Sequence, residues 1–301
     1  MWKIRVPATS GNLGPGFDTI GMAFELYNYI YLDLIPQGLE IEVSGEGNNE
    51  ISRQEDNIVY QAALRVFERV NFQPKGLKII LENNIPITRG LGSSASIIVG
   101  GMVGANEISG RHLSDNEVLK MAVDMEGHPD NVAPAMFGGI TAAVNGIKSV
   151  DYLKIVPPKD LHAIVAIPDF QLSTKVARQV IPTMIDRSDA VFNIGRTSLM
   201  IGALLKGDLT LFGKMMEDRL HQPYRMSLIP GMRDVFNDAK EAGALSVAIS
   251  GAGPTLIAFV VRDGEKVAKA MSEAFSKHKI DSQTLDLHPD NNGVIIEKIN
   301  K

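Results

Sequence analysis

Strand-like and helix-like segments alternate along both halves of the chain, and the most linker-like spot between them is Val156-Pro157-Pro158-Lys159-Asp160. Together these features predict an α+β or α/β protein of two domains, residues 1–157 and 158–301. The first half opens on strands: residues 2–7, 28–35, 39–44 and 76–82 are rich in Ile, Val, Leu and Tyr and are bounded by Gly, Pro or Asn. Between the third and fourth, residues 56–67 carry apolar side chains at helical spacing, with Asp56 or Asn57 available as N-cap, which predicts a helix over 58–70. Helices over 94–108 and 115–125 follow a glycine-rich loop, the second introduced by Ser114 and Glu117 in capping-box spacing. Strand character resumes at 138–144.

The second half opens with a strand over 162–167 and continues through helices near 174–181, 189–206 and 231–242. Strands 244–250 and 255–261 and a helix over 264–277 complete it. No repeat of domain-repeat length and no low-complexity tract interrupts the pattern.

Composition narrows the function. With 301 residues, 45 % of them hydrophobic, the chain can bury a large core, and disorder is excluded. Thirty Lys+Arg against 35 Asp+Glu leave a net charge of −5, so neither nucleic acid nor an anionic membrane is expected as partner. The absence of cysteine excludes disulfides, thiolate catalysis and Cys-ligated metal centres, and fits a reducing compartment. No apolar run follows the basic residues of the start, so the expectation is a cytoplasmic protein. The longest uncharged stretch, 244–261, is broken by Ser250-Gly251-Ala252-Gly253-Pro254 and reads as two strands and a turn rather than a membrane span. The histidines at 112, 128, 162, 221, 278 and 288 show no i, i+4 pair and no clustered spacing, which argues against a metal hydrolase. There is also no Gly-x-Ser-x-Gly elbow for a serine esterase.

Chemistry concentrates in four loops. In Pro86-Ile87-Thr88-Arg89-Gly90-Leu91-Gly92-Ser93-Ser94-Ala95-Ser96, glycines let the backbone approach an anion, hydroxyls can bind oxygen or magnesium, and an apolar helix presents its positive end. No Lys follows the second glycine, so this is not a Walker A loop, and the match to a dinucleotide fingerprint lacks its acidic residue; a Gly/Ser-rich turn feeding a packed helix is the plainer alternative. The loop from Pro7 to Asp18 packs glycines, prolines, Asn12 and Asp18 after the first strand, as a ligand loop or a capped turn would. Glu126-Gly127-His128-Pro129-Asp130-Asn131 clusters polar side chains at a helix end, either as a site or as a junction capped by Asp130. Ser250 to Thr255 could turn backbone N–H groups toward a ligand or simply close a hairpin.

Taken in order, these loops resemble the motifs of the GHMP small-molecule kinases. The stretch from Val6 to Asp18 is similar to the family's first motif, Pro86 to Ser96 to its phosphate loop and Ala248 to Thr255 to its third, so that residues 5 to about 260 are covered. The resemblance implies an α+β, two-domain fold: an N-terminal ribosomal protein S5 domain 2-like domain that binds ATP and a C-terminal ferredoxin-like domain, with the active site between them. His128-Pro129-Asp130-Asn131-Val132-Ala133-Pro134-Ala135 is similar to the branch whose acceptor is L-homoserine rather than mevalonate, galactose or diphosphocytidyl-methylerythritol. It thereby implies ATP and Mg2+ as cofactors, O-phospho-L-homoserine for threonine synthesis as product, and a homodimer. A different acceptor alcohol, or a non-catalytic sensor that binds ATP or an amino acid, are the alternatives.

The resemblance also implies roles. Asn12 and Asp18 would hold the substrate's amino end, and Arg178 and Arg225 its carboxylate, a bidentate match that arginine suits. Thr174, His128 and Gly251 would complete the pocket. Mg2+ would be held by Ser94 and Glu126, the phosphates by Ser93 and the loop backbone at Pro86, Gly90, Leu91, Gly92, Ala95 and Ser96, and the adenine side would be faced by Asn57. Asn131 stands where mevalonate-type relatives place an aspartate base. An amide cannot accept the proton at neutral pH, so the hydroxyl would be oriented by hydrogen bonds and its proton passed to phosphate or water, with Asp130 as the rival base.

Overall fold

The computed structural model describes residues 1–299 and resolves the alternation into two sheets. Residues 300 and 301 of the expected second domain lie outside the described residues. The first sheet contains β1 (Trp2–Gly11), β2 (Ile20–Leu34), β3 (Gly38–Gly45), β4 (Gly76–Asn83), β5 (Ile140–Asn145) and β6 (Val150–Ile155). Its helices are α1 (Ile58–Arg69), α2 (Ser93–Ile108), α3 (Asp115–Glu126) and α4 (Pro129–Phe137). The second sheet contains β7 (His162–Pro168), β8 (Ser246–Ile249), β9 (Leu256–Val260) and β10 (Ser282–Leu287). It is accompanied by α5 (Thr174–Gln179), α6 (Arg187–Lys206), α7 (Leu209–Met215), α8 (Gln222–Arg225), α9 (Met232–Glu241) and α10 (Glu265–Lys277). A last strand, β11 (Ile295–Lys298), leaves the second sheet and pairs with β1 on the first. The strand orders are β11-β1-β2-β4-β3, with β5 pairing β2 and β6, and β10-β7-β9-β8. Only β3 and β4 run parallel, so the class is α+β.

Three apolar clusters layer the molecule. Ile4, Val6, Ile30 and Leu32 of the first sheet pack on Val59, Phe67, Ile98, Met102 and Leu119 of its helices. Ala8, Met22, Phe24, Val165, Phe212 and Phe259 fill the space between the sheets. Ile249, Leu256, Met232, Val235 and Phe275 join the second sheet to α9 and α10. A bulge makes the first two layers continuous: Pro7 pairs with Tyr27 but Ala8 with Phe24, so Glu25 and Leu26 are extra residues on β2. The pleat is thereby reset, and the even-numbered Ile4 and Val6 face one core while Ala8 faces the other.

Several elements depart from the sequence reading. β2 starts at Ile20, well before the expected strand over 28–35, because residues 20–24 are buried without the alternation that marks a half-exposed strand. α4 is the second helix of the helix–turn–helix junction that the sequence allows at 126–131, but its cap is His128 rather than Asp130: Pro129 opens it and Pro134 lies inside it, and both read as breakers in sequence. β10 and β11 are short and polar, and only their partners give them strand character. No described helix is long and apolar enough to cross a membrane.

One buried side chain ties this frame to the phosphate loop. Asn28 is fully buried on β2, its Oδ1 accepts from the backbone N–H of Asn84 at 2.8 Å and of Ile85 at 3.0 Å, and its Nδ2 donates to Ser96 Oγ at 2.8 Å. Asn28→Ala leaves two backbone donors without partners and is expected to cost about 2–4 kcal/mol in urea unfolding.

Candidate active site

The phosphate-binding candidate sits where β1, the loop before α2 and the turn between β8 and β9 touch. Gly92 caps α2 with a φ of +69°, and a Cβ there would lie 1.9 Å from Thr9 Oγ1. Gly90 has a φ of +52°, and its Cβ would lie 2.0 Å from the Ser250 carbonyl oxygen. Both positions therefore require glycine for conformation and for room. The Thr9 N–H donates to Leu91 O at 3.0 Å, and Ser250 Oγ lies 2.5 Å from Gly90 O and 2.9 Å from Ser10 Oγ. The first intrahelical bond of α2 is Ser96 N–H to Gly92 O, so the N–H groups of Ser93, Ser94 and Ala95 have no partner within the helix, which is the arrangement an anion needs. Within residues 93–106 of α2 only Ser94 is not buried, and it lines the cleft with Gly90, Leu91, Gly92, Ser93 and Pro86.

Across the cleft, a charged set meets on an aromatic platform. Arg178 on α5 forks onto Asp18 with contacts of 2.6 and 2.9 Å, which raises its pKa. Arg225, at the end of α8, is 1 % exposed and donates to Ala177 O at 3.1 Å and Gly251 O at 3.0 Å. Burial, and secondarily the charge of Arg178, pushes its pKa down to about 10. His221 holds it: Nε2 donates to Gly14 O at 2.8 Å, leaving Nδ1 to accept from Arg225 Nη1 at 3.1 Å, and burial lowers the imidazole's pKa so that this neutral tautomer persists. Phe17 stacks on His221 with centroids 5.1 Å apart, and both guanidinium groups lie over its ring at 5.6 and 5.5 Å. Asn12 lines the cleft, with Nδ2 donating to Gly251 O at 2.7 Å and Oδ1 accepting from Asp18 N–H at 2.9 Å, so its amide fixes the Asp18 loop. Thr174 and Gly251 complete this wall.

Between the two ends lie the groups that could act on a hydroxyl. Ser94 Oγ donates to Glu126 Oε2 at 2.8 Å, and burial raises the Glu126 pKa against that bond. A partly buried carboxylate beside a hydroxyl is a hard, two-oxygen donor set that suits Mg2+, which keeps water and phosphate as its other ligands. His128 lines the cleft and its Nδ1 is bound by Asp130. Burial works against the imidazolium, but the hydrogen bond and charge of Asp130 outweigh it and raise the His128 pKa. Asp130 is 1 % exposed and does not line the cleft, and the side chain between it and the cleft is His128. Asn131 does line the cleft, and its Oδ1 accepts from Thr9 Oγ1 at 2.9 Å. That bond turns the Nδ2 donor toward the free side of the amide.

Most of the expected residues thus converge on one cleft of about 160 Å³. Three do not. Ala95 and Ser96 are fully buried beneath the loop, the hydroxyl of Ser96 bonds Ser93 O and Asn28, and its N–H closes the first turn of α2, so Ser96 offers an anion nothing. Asn57 lies in an adjoining, largely apolar pocket of about 390 Å³ that shares Thr88, Ser93 and Ser94 with the cleft. Its Oδ1 caps α1 by accepting from Val59 and Tyr60 N–H, and its Nδ2 donates to Ser52 O at 2.6 Å. Sequence reasoning missed Thr9, Phe17, His221 and Ser250 as individual contributors. Thr9, Phe17 and Ser250 lie inside recognised loops, but only folding shows which of their residues touch the site, and a lone histidine carries no sequence signal for holding an arginine.

Known proteins match both halves of the chain. The family model described as "GHMP kinases N terminal domain" matches residues 57–139, and the one described as "GHMP kinases C terminal" matches residues 200–277. A homoserine kinase of Moorella thermoacetica is 47 % identical over 296 residues, covering 98 % of this chain and 100 % of that one. The crystal structure of homoserine kinase from Cytophaga hutchinsonii superposes with a TM-score of 0.90 at 31 % identity, covering 98 % of this chain and 96 % of that one. The mevalonate kinase of L. major, solved in complex with R-mevalonate, shares the fold at a TM-score of 0.69 and 18 % identity, covering 94 % of this chain and 95 % of that one.

Two outcomes are expected from the geometry. Thr9→Val keeps the volume but removes the hydroxyl that orients Asn131, so kcat should fall about 10- to 100-fold in steady-state assays while ATP affinity is retained. His128, with its pKa raised in the folded state, stabilises the fold below its unfolded pKa and loses that contribution as pH rises through the folded one. The stability deficit of His128→Ala in urea should therefore be larger at about pH 5.5 than at about pH 9.

Proposed function

The chain belongs to the GHMP kinase family, and from that premise we propose that it transfers the γ-phosphoryl group of ATP to the hydroxyl of L-homoserine, giving ADP and O-phospho-L-homoserine for threonine synthesis. The observation that carries the substrate is the pair Arg178 and Arg225, which shares one cleft with the phosphate loop and has Asp18 forked onto Arg178 beside it. A zwitterionic amino acid offers an ammonium to Asp18 and a carboxylate to the two guanidinium groups, whereas a sugar or an isoprenoid alcohol gives no use for this charge pattern. The names of the full-length relatives support the same acceptor.

Catalysis follows from positioning and charge neutralisation. The unpaired N–H groups at the start of α2 and the hydroxyl of Ser93 receive the phosphate oxygens, and the neighbouring pocket around Ile58, Ile87 and Ile97 takes the adenine. Ser94 and Glu126 would hold Mg2+, which would supply neutralisation of the phosphate charge. The Nδ2 of Asn131, aimed by Thr9, fixes the acceptor hydroxyl in line with the γ-phosphorus. The acceptor oxygen forms its bond to phosphorus as the bond to the ADP oxygen breaks, and the hydroxyl proton leaves to a phosphate oxygen or water. Cytoplasmic residence and a homodimer belong to the same reading, the latter supported by exposed Val191, Ile194, Leu199 and Leu205 on α6.

The test is ADP release with Mg2+-ATP and L-homoserine, mevalonate, galactose, L-serine or L-threonine as acceptor, with the product identified by mass. Selective formation of phosphohomoserine is expected, and Arg178→Ala should raise KM for homoserine at least about 100-fold with little change in KM for ATP. ATP binding without transfer to any acceptor would favour a sensor instead.

A further inference from the structure

We propose that His162, Asp286 and His288 form a second metal site, on the surface beside the junction of the two sheets, that takes a divalent transition-metal ion of the Zn2+ class. β7 and β10 pair antiparallel with Leu287 opposite Ala163, so His162 and His288 face one another at the open end of this ladder. Their rings stack at 5.1 Å with an interplanar angle of 12°. Asp286 is two residues from His288 and so projects from the same face of the strand. One ligand atom from each of the three lies within 4.8 Å of the others, close enough for side-chain rotation to gather them around one ion. The sequence gives no hint of this, because the two histidines are far apart in the chain and meet only through strand pairing.

The hydrogen bonds of His162 point to a cation. Its Nε2 lies 2.9 Å from Arg262 O, and a carbonyl can only accept, so Nε2 carries hydrogen. Its Nδ1 then lies 2.6 Å from Asp286 Oδ1, which is an acceptor as well. Nitrogen and carboxylate oxygen thus face one another, and a small rotation of either side chain opens the pair to an ion bonded to each at about 2.0–2.2 Å. An imidazole held by a backbone carbonyl on one nitrogen, with the other turned to a carboxylate, is the orientation that metal-binding histidines adopt.

Two imidazoles and a carboxylate favour Zn2+, Ni2+ or Cu2+ over Mg2+ or Ca2+, which prefer all-oxygen donors. Asp286 and His288 are exposed, so water can complete the coordination, and the chain has no cysteine to compete as a thiolate. None of the three residues lines the active cleft. His288 O accepts from Glu25 N–H at 2.9 Å and Pro289 bridges to Phe24, so the ion would clamp the start of β7 to the end of β10 where the chain re-enters the first sheet. Such an ion binds the folded state alone and stabilises it by mass action.

The experiment is calorimetric titration and thermal unfolding of the intact protein with Zn2+, and separately with Mg2+, for the parent, His288→Ala and Asp286→Ala. Asp18, His128 and Asp130 also gather ligand atoms in the cleft, so the readout is the difference between parent and variants. Zn2+ at about 100 μM should raise the parent's thermal midpoint by about 2–4 °C more than it raises either variant's, and Zn2+ affinity should drop at least about tenfold in each variant while kinase turnover with Mg2+-ATP stays unchanged. Equal Zn2+ binding in parent and variants, or none in the parent at about 1 mM, overturns the proposal.

Discussion

Everything in the cleft depends on how closely three backbones approach at one point. The end of β1, the loop before α2 and the turn after β8 meet through Thr9 N–H to Leu91 O, Gly251 N–H to Gly11 O, and the Ser250 hydroxyl between Gly90 and Ser10. These groups are removed from water, so each bond is strong and each would be costly to leave unmade. Leu91, fully buried between the sheets, anchors the loop from below. Because two of the three segments belong to the first half of the chain and one to the second, the same contact that shapes the phosphate loop also joins the halves.

The electrostatics of this cleft suit a ligand that brings both signs of charge. Asp18 and Arg178 satisfy one another while Arg225, buried beside a second cation, holds its proton less tightly than an ordinary guanidinium. A zwitterion laid along this set extends an alternation of charges already present, so binding reorganises little. A single anion or cation would leave one of the built-in charges unmatched. Selectivity in such a site comes as much from what it leaves unpaired as from what it contacts.

The sequence made the loops legible because their chemistry is local. Glycines that must adopt positive φ and hydroxyls that follow them announce a phosphate loop, and Ser114 with Glu117 announces a helix start that the structure forms as a capping box. What stayed hidden depends on tertiary partners. α4 hides behind two prolines that its position tolerates, and β10 and β11 become strands only because β7 and β1 offer free edges. Asn57 shows the limit for single residues: an asparagine before a helix reads equally as cap and as ligand, and this one caps α1 while also lining the pocket beside the cleft. Thr9 gains its part from Asn131, a neighbour 122 residues away.

The return of β11 to β1 has a consequence for how the chain is made. Ile299 N–H donates to Met1 O at 2.9 Å, so the first strand waits for the last one before its edge is covered. During synthesis the first ten strands emerge before β11, so the β1 edge of the first sheet stays open while the whole second sheet is made. Unpaired edges invite pairing with other chains. Completion of the first sheet is therefore a late event, and the nascent first half is the stage of this protein's life at which a chaperone has most to protect.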